Sequence, residues 1–233
     1  MFAEAAQTRL QNIKNTNGYN KLYHKVHCIA IQDISEIITI TETYITKYGG
    51  ELMAYCKEVG IWSHSGYSDG PIGTSETTID SIVPKEFNQM VISGWSKIKF
   101  NSFNKDSIFV MYGCNSGRDD TLFAQRLSIL SNFQDIEVWG QSDSSFPSKF
   151  PDYRRTSLAR TIDKNIPMGG FEVGYTYMLA GNDGEGKNSQ TLNLLEDYPK
   201  ANPMNCYKNG LKIRSTHQGY FNDHRKTKQL KLK

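Results

Sequence analysis

The apolar positions of this chain change period several times between residues 22 and 140. Tyr23 to Ile31 (YHKVHCIAI) is a β-branched and apolar run, the pattern of a buried strand, with His24 and His27 on opposite faces. Asp33 followed by Glu36 forms a capping box, and Ile34, Ile37, Ile38, Ile45 and Tyr48 then follow helical spacing up to Gly49-Gly50. Glu58 to Ser63 (EVGIWS) reads as a second strand leading into the Gly-rich loop HSGYSDGPIGT. A helix is expected to start near Pro84, capped at about Ser81, with Phe87, Met90, Val91, Trp95 and Ile98 as its apolar face. Ser107 to Tyr112 (SIFVMY) is a third strand, ending in GCNSG. A third helix is expected from about Asp119 to Leu130, with Leu122, Phe123, Leu127 and Leu130 inward, and Ile136 to Gly140 (IEVWG) is a fourth strand.

Strands that alternate with helices favour parallel pairing. The expected fold is therefore α/β, a three-layer α/β/α sandwich on a mostly parallel sheet. Beyond Gly140 the pattern fails. SDSSFPSKFPDYRR reads as a long loop, a short strand is expected over Phe171 to Leu179, GNDGEGKNSQ is a flexible surface loop, and residues 192–224 are expected to be irregular with short hairpins. The division expected is a polar lead-in at residues 1–21 with a short helix at 3–14, a core at 22–150, and an irregular C-terminal extension at 151–233.

Composition narrows the function classes. Hydrophobic residues make up 38% of the 233, enough for a packed core, and no apolar run is long enough to cross a membrane. No Sec-type signal peptide is visible at the N-terminus, so synthesis in the cytoplasm is expected, with any export by a specialised secretion system. The net charge is +3, yet residues 208–233 carry eight Lys or Arg and one Asp (8 − 1 = +7), which leaves −4 for the rest. A mildly acidic body with a basic tail argues against a dedicated nucleic-acid-binding protein; the tail is a solvated end or a contact for an acidic partner. Cys28, Cys56, Cys114 and Cys206 form no C-x-x-C pair, so a zinc ribbon is excluded.

Ligands of open parallel α/β sheets bind at the carboxyl ends of the strands. Two strands here deliver reactive residues to that edge. EVGIWS delivers His64, then Ser65 and Gly66; SIFVMYG delivers Cys114, then Asn115, Ser116 and Gly117. An imidazole can take the proton of a thiol, and the thiolate is a nucleophile for acyl transfer. Backbone N–H groups of Gly66, Ser65 or Cys114 are candidate donors to a developing oxyanion. Asp69, Asp143, Gln141 and Ser144, with Ser142 and Ser145, are candidates for lining a substrate pocket on the same rim. A buried structural cysteine and a solvated histidine are the plain alternative for each residue taken alone.

The two blocks VGIWSHSGYSDG and IFVMYGCNSG resemble the caspase-like fold of cysteine peptidases, which includes caspases, gingipains, separases and CHAT domains. Those families place a catalytic His after one apolar strand and a catalytic Cys after the next. Here His64 and Cys114 are 50 residues apart (114 − 64), close to the roughly 50 of caspases. The helix with FAQRLS and the strand IEVWG that follow YGCNSG resemble the CHAT type over residues 22–145. The caspase pentapeptide around the Cys is absent, and Ser65 intervenes between His64 and Gly66, which shifts the expected oxyanion donor toward Ser65. The resemblance implies peptide-bond cleavage by a Cys114–His64 dyad without a cofactor. In a bacterial toxin or effector it implies a polypeptide substrate and an immunity or carrier protein as partner.

Two other classes stay open: an endopeptidase or amidase acting on peptidoglycan with the same dyad, and a non-enzymatic interaction module on the same scaffold. His217 and His224, with Asp223, have poor spacing for a metal, and Asp183 and Glu185 are weak calcium candidates, so no metal site is expected. The chain has no P-loop and no G-x-S-x-G elbow.

Overall fold

The computed structural model describes residues 2–66, 70–75, 88–98, 103–142, 145–147, 153–155, 172–174, 178–180 and 203–217. These fall into two compact units. Residues 31–142 and 204–215 form one, and the described parts of 1–30, 143–203 and 216–233 form the other.

The chain begins with helix α1, Phe2–Lys14. The strand expected at Tyr23–Ile31 does not form: residues 24–31 carry no regular structure, and Leu22 and Tyr23 are 71% and 80% exposed. A β-branched run becomes a strand only where a sheet edge pairs with it, and among the described residues no strand pairs with this one. The capping box does form. The Asp33 carboxylate accepts the Ser35 N–H at 2.8 Å, and Glu36 Oε1 accepts the Asp33 N–H at 2.9 Å. A 3-10 turn, Ile34–Glu36, leads into helix α2, Ile37–Lys47, which buries Ile37, Thr41 and Ile45. Gly49 and Gly50 end it with φ of +107° and +79°, a region open to glycine at little cost.

Next come strand β1 (Glu58–Ile61), the short helix α3 (Ile92–Trp95), strand β2 (Ile108–Met111), helix α4 (Phe123–Ile129) and strand β3 (Glu137–Gln141). Four short strands follow: β4 (Ser145–Pro147), β5 (Tyr153–Arg155), β6 (Glu172–Gly174) and β7 (Met178–Ala180). They pair antiparallel, β4 with β7 and β5 with β6. The single strand expected within Phe171–Leu179 is thus two. The last elements are β8 (Pro203–Lys208) and β9 (Leu211–His217).

The main sheet has the order β1-β2-β3-β8-β9. β1, β2 and β3 run parallel, and β8 returns antiparallel to β3, so the fold is α/β on a five-stranded mixed sheet. The register is Ile61↔Met111↔Gly140↔Asn205, with Val59↔Phe109↔Val138↔Tyr207 two residues back. On that face Ile61, Phe109, Met111, Val138 and Tyr207 join Ile37, Trp95, Phe123 and Leu127 in one core. Edge-to-face contacts of Phe109 with Trp95 (5.8 Å) and with Phe133 (5.2 Å) fill its centre.

Two further expectations need correction. A hairpin expected in the irregular C-terminal part is present at residues 203–217, but its two strands belong to the main sheet rather than to a separate extension. The third helix starts at Phe123 rather than Asp119, and Leu122 is exposed, with φ +62°. The acidic residues before it are held elsewhere: Asp119 by Lys212 and Tyr207, Asp120 by Arg118. The helix expected from near Pro84 is not continuous: its start lies outside the described residues, residues 88–91 are not helical, with Asn88 at φ +43° and Gln89 bridged to Ile72, and only Ile92–Trp95 is helical, although Met90, Trp95 and Ile98 of its apolar face are buried.

Candidate active site

Because β1 and β2 are parallel neighbours, their carboxyl ends lie at one edge of the sheet. Their register is offset by 50 residues, from Glu58↔Ile108 to Ile61↔Met111. The last rung, Ile61↔Met111, is closed at the strand ends. Tyr112 N–H donates to the Ile61 carbonyl at 2.9 Å, and the Trp62 and Tyr112 rings stack with centroids 4.3 Å apart. One residue on, a Cβ on Gly113 would overlap Ser65 Oγ and come within 3.1 Å of the Ser63 carbonyl oxygen. His64 is exposed and Cys114 half-buried.

The loop after β1 is a small antiparallel hairpin. Ile72 N–H donates to the His64 carbonyl (3.0 Å) and Gly66 N–H to the Gly70 carbonyl (2.9 Å), on either side of the bridge Ser65↔Pro71. This is the pairing in which the bridged residues exchange no hydrogen bond, so the Ser65 N–H points away from Pro71. Gly66 N–H, a candidate oxyanion donor, is already engaged with Gly70. The Ser65 hydroxyl oxygen is buried and has no hydrogen-bond partner.

The turn after β2, Cys114–Gly117, is braced on three sides. Ser116 is fully buried; its hydroxyl donates toward the carbonyls of Gly113 (2.8 Å) and Met111 (3.2 Å) and accepts the Gln141 N–H (3.1 Å). Gly117 N–H donates to the Gln141 carbonyl at 2.8 Å. The Gly117 carbonyl accepts from Asn205 Nδ2 at 2.8 Å, and the Tyr207 hydroxyl lies 3.1 Å away. Tyr207 also lies 2.7 Å from Asp119 Oδ1, which Lys212 holds at 3.1 Å. Asn115 supplies the left-handed φ of +58° that bends the turn, a conformation Asn tolerates.

The electrostatics separate the thiols. Burial pushes Cys56 up to about 12, with the Glu58 charge adding to it. Burial, then the Glu137 charge, raises Cys206, and burial raises Cys28. Burial works against the Asp119 carboxylate, but hydrogen bonds from Lys212 and Tyr207 and the Lys212 charge hold it below 3.8. Burial, then the hydrogen bond to Asp119, raises the Tyr207 phenol.

His64, Ser65, Gly66, Cys114 and Gln141 thus share one edge of the sheet. Asp69, Asp143 and Ser144 lie outside the described residues. Ser142 is half-buried just past β3, and Ser145 starts β4 in the other unit. Asn205, Tyr207 and Ser116, which brace the turn, were not legible as site residues. The Asn209-Gly210 pair between β8 and β9 was the available signal for the hairpin that carries two of them. Among the described residues no group of three or more His, Cys, Asp or Glu side chains can hold a metal, and no helix is long and apolar enough to cross a membrane. His24 and His27 sit outside any strand, and His24 Nδ1 accepts the Asn20 N–H at 2.9 Å. His217 lies in β9; Asp183, Glu185, Asp223, His224 and the basic tail from residue 218 lie outside the described residues.

Comparisons with protein-family models, with curated proteins and with solved structures gave no match.

Proposed function

We propose that the protein is a cysteine peptidase with a three-layer, caspase-like core, in which Cys114 is the nucleophile and His64 the general base and acid. The observation that carries this reading is the 50-residue parallel register of β1 and β2, which points both strand ends at one rim. His64 takes the thiol proton, and the Cys114 sulfur attacks a peptide carbonyl to give a tetrahedral oxyanion. The Ser65 and Cys114 N–H groups stabilise that oxyanion; Gly66 serves only if its bond to Gly70 opens. The C–N bond breaks, His64 returns its proton to the leaving amine, and water hydrolyses the thioester. A positioned base contributes roughly 10²–10⁴-fold to such a step. The turn that carries the sulfur is fixed before substrate arrives, which is what orientation requires. A toxin or effector setting, with a polypeptide target and an immunity or carrier partner, belongs to the same proposal.

The test is incubation of wild type and Cys114→Ala with an unfolded polypeptide and, separately, with purified sacculi. Fragmentation of the polypeptide by wild type alone is expected. Cleavage retained in a folded Cys114→Ala variant overturns the reading, and release of wall peptides with the polypeptide intact assigns the dyad to peptidoglycan instead.

A further inference from the structure

Ser65 and Gly113 meet just beyond the ends of β1 and β2; His64 precedes the first and Cys114 follows the second. A Cβ on Gly113 would overlap the Ser65 hydroxyl oxygen and lie 3.4 Å from Ser65 Cβ. The seat of that hydroxyl is open because residue 113 has no side chain. Each side of the contact is held from behind. The His64 carbonyl accepts from Ser63 Oγ at 2.8 Å and from the Ile72 N–H at 3.0 Å, and the Gly66 N–H donates to the Gly70 carbonyl at 2.9 Å. The Gly113 carbonyl accepts from Ser116 Oγ at 2.8 Å; Ser116 is fully buried and also accepts the Gln141 N–H. The Ser65 hydroxyl is thus a spacer between two braced segments. Its oxygen is buried and, among the described residues, has no hydrogen-bond partner. A buried hydroxyl left unmade costs stability, and an alanine there would not. A side chain that the fold alone does not favour points to a use in function.

We propose that Ser65 is a positioning residue for His64 and Cys114: its side chain, seated on Gly113, sets how closely the loop carrying His64 approaches the turn carrying Cys114; this rests on the peptidase reading above. With its oxygen buried, the hydroxyl acts through the backbone and not on substrate. One peptide bond leads from Ser65 back to His64, and one leads from Gly113 on to Cys114. Proton transfer needs the imidazole and the sulfur within hydrogen-bond reach. A misplacement of about 1 Å at a reacting centre can cost about 10²-fold. Replacing the hydroxyl by hydrogen takes one heavy atom out of the gap and gives the loop that much play. A methyl on residue 113 would fall in the space the hydroxyl leaves and fill the gap from the other side, with the Ser63 carbonyl oxygen, 3.1 Å from it, yielding slightly.

The test uses the full chain as wild type, Ser65→Ala, Gly113→Ala and the double variant. The readouts are alkylation of Cys114 by iodoacetamide at pH 7, cleavage of an unfolded polypeptide, and the thermal midpoint. Ser65→Ala is expected to keep or raise the midpoint while Cys114 alkylation and cleavage both slow about tenfold. Labelling of Cys56 and Cys206 is expected to stay unchanged. Gly113→Ala forces the hydroxyl from its seat and is expected to slow both rates about tenfold or more. Adding Ser65→Ala to it is expected to bring the rates back up, a reversal of sign that two independent losses do not give. Ser65→Ala decides alone where Gly113→Ala does not fold. A Ser65→Ala variant with wild-type rates overturns the assignment, as does one whose midpoint falls, or a double variant slower than Gly113→Ala. Any of these beside Cys114-dependent cleavage by wild type leaves the peptidase reading standing. Absence of Cys114-dependent cleavage by wild type overturns both.

Discussion

Gly117 and Gly140 pack backbone to backbone: a Cβ on Gly117 would overlap the Gly140 carbonyl oxygen, and a Cβ on Gly140 would fall 2.5 Å from the Gly117 nitrogen. The turn carrying Cys114 rests on β3 only because both positions lack a side chain. Gly140→Ala is expected to destabilise the protein by about 1–3 kcal/mol, the usual cost of overpacking. Urea unfolding checks this; an unchanged midpoint would mean that the turn does not sit on β3.

Tyr207 reaches across the sheet to the same turn. Its one hydroxyl proton lies within reach of the Asp119 carboxylate and, at a longer distance, the Gly117 carbonyl. Tyr207→Phe is expected to cost about 1.5–3 kcal/mol, the range for a hydrogen bond to a charged group. Denaturant unfolding reads the loss directly, and an effect near zero removes Tyr207 from the brace.

Asp119 gives this brace a pH dependence. Its carboxyl is held below 3.8 in the folded state. A carboxyl with a depressed folded-state pKa binds its proton more readily when unfolded. Its contribution is therefore complete above 3.8 and is lost as pH falls below that value and through the lower folded pKa. Thermal midpoints between neutral pH and pH 2 are expected to fall less steeply at the acid end in Lys212→Met than in wild type. Parallel curves would contradict the linkage.

Asp33→Ala is expected to cost about 0.5–2 kcal/mol, because it removes the acceptor for the Ser35 N–H at the entrance to α2. Chemical denaturation measures it. The same residue illustrates what the sequence made legible. The capping box, the glycine stop after α2, and the three apolar cores of β1, β2 and β3 depend on local chemistry and appear where local chemistry put them. The strand expected at Tyr23–Ile31 depends on a partner, which no local pattern encodes. The start of α4 was read too early because Asp119 and Asp120 look like helix-initiating acids but are engaged by Lys212, Tyr207 and Arg118. The β8–β9 hairpin had a local signal in Asn209-Gly210, whose φ values of +50° and +80° suit a tight two-residue turn. What that signal could not carry was the pairing of β8 with β3, so the brace from Asn205 and Tyr207 was invisible. His64 and Cys114 each follow the end of a strand, and the ends of β1 and β2 were legible because their apolar runs are local features.

The central claim is that His64 activates Cys114, and the rate of thiol alkylation by iodoacetamide at pH 7, read by mass spectrometry at each cysteine, tests it most directly. Cys56 and Cys206, whose burial favours the neutral thiol, are the internal references and are expected to label slowly. In wild type Cys114 is expected to label first, and His64→Ala to slow that labelling about tenfold or more while Cys56 and Cys206 stay unchanged. An equal Cys114 rate in wild type and in a folded His64→Ala variant would contradict the account.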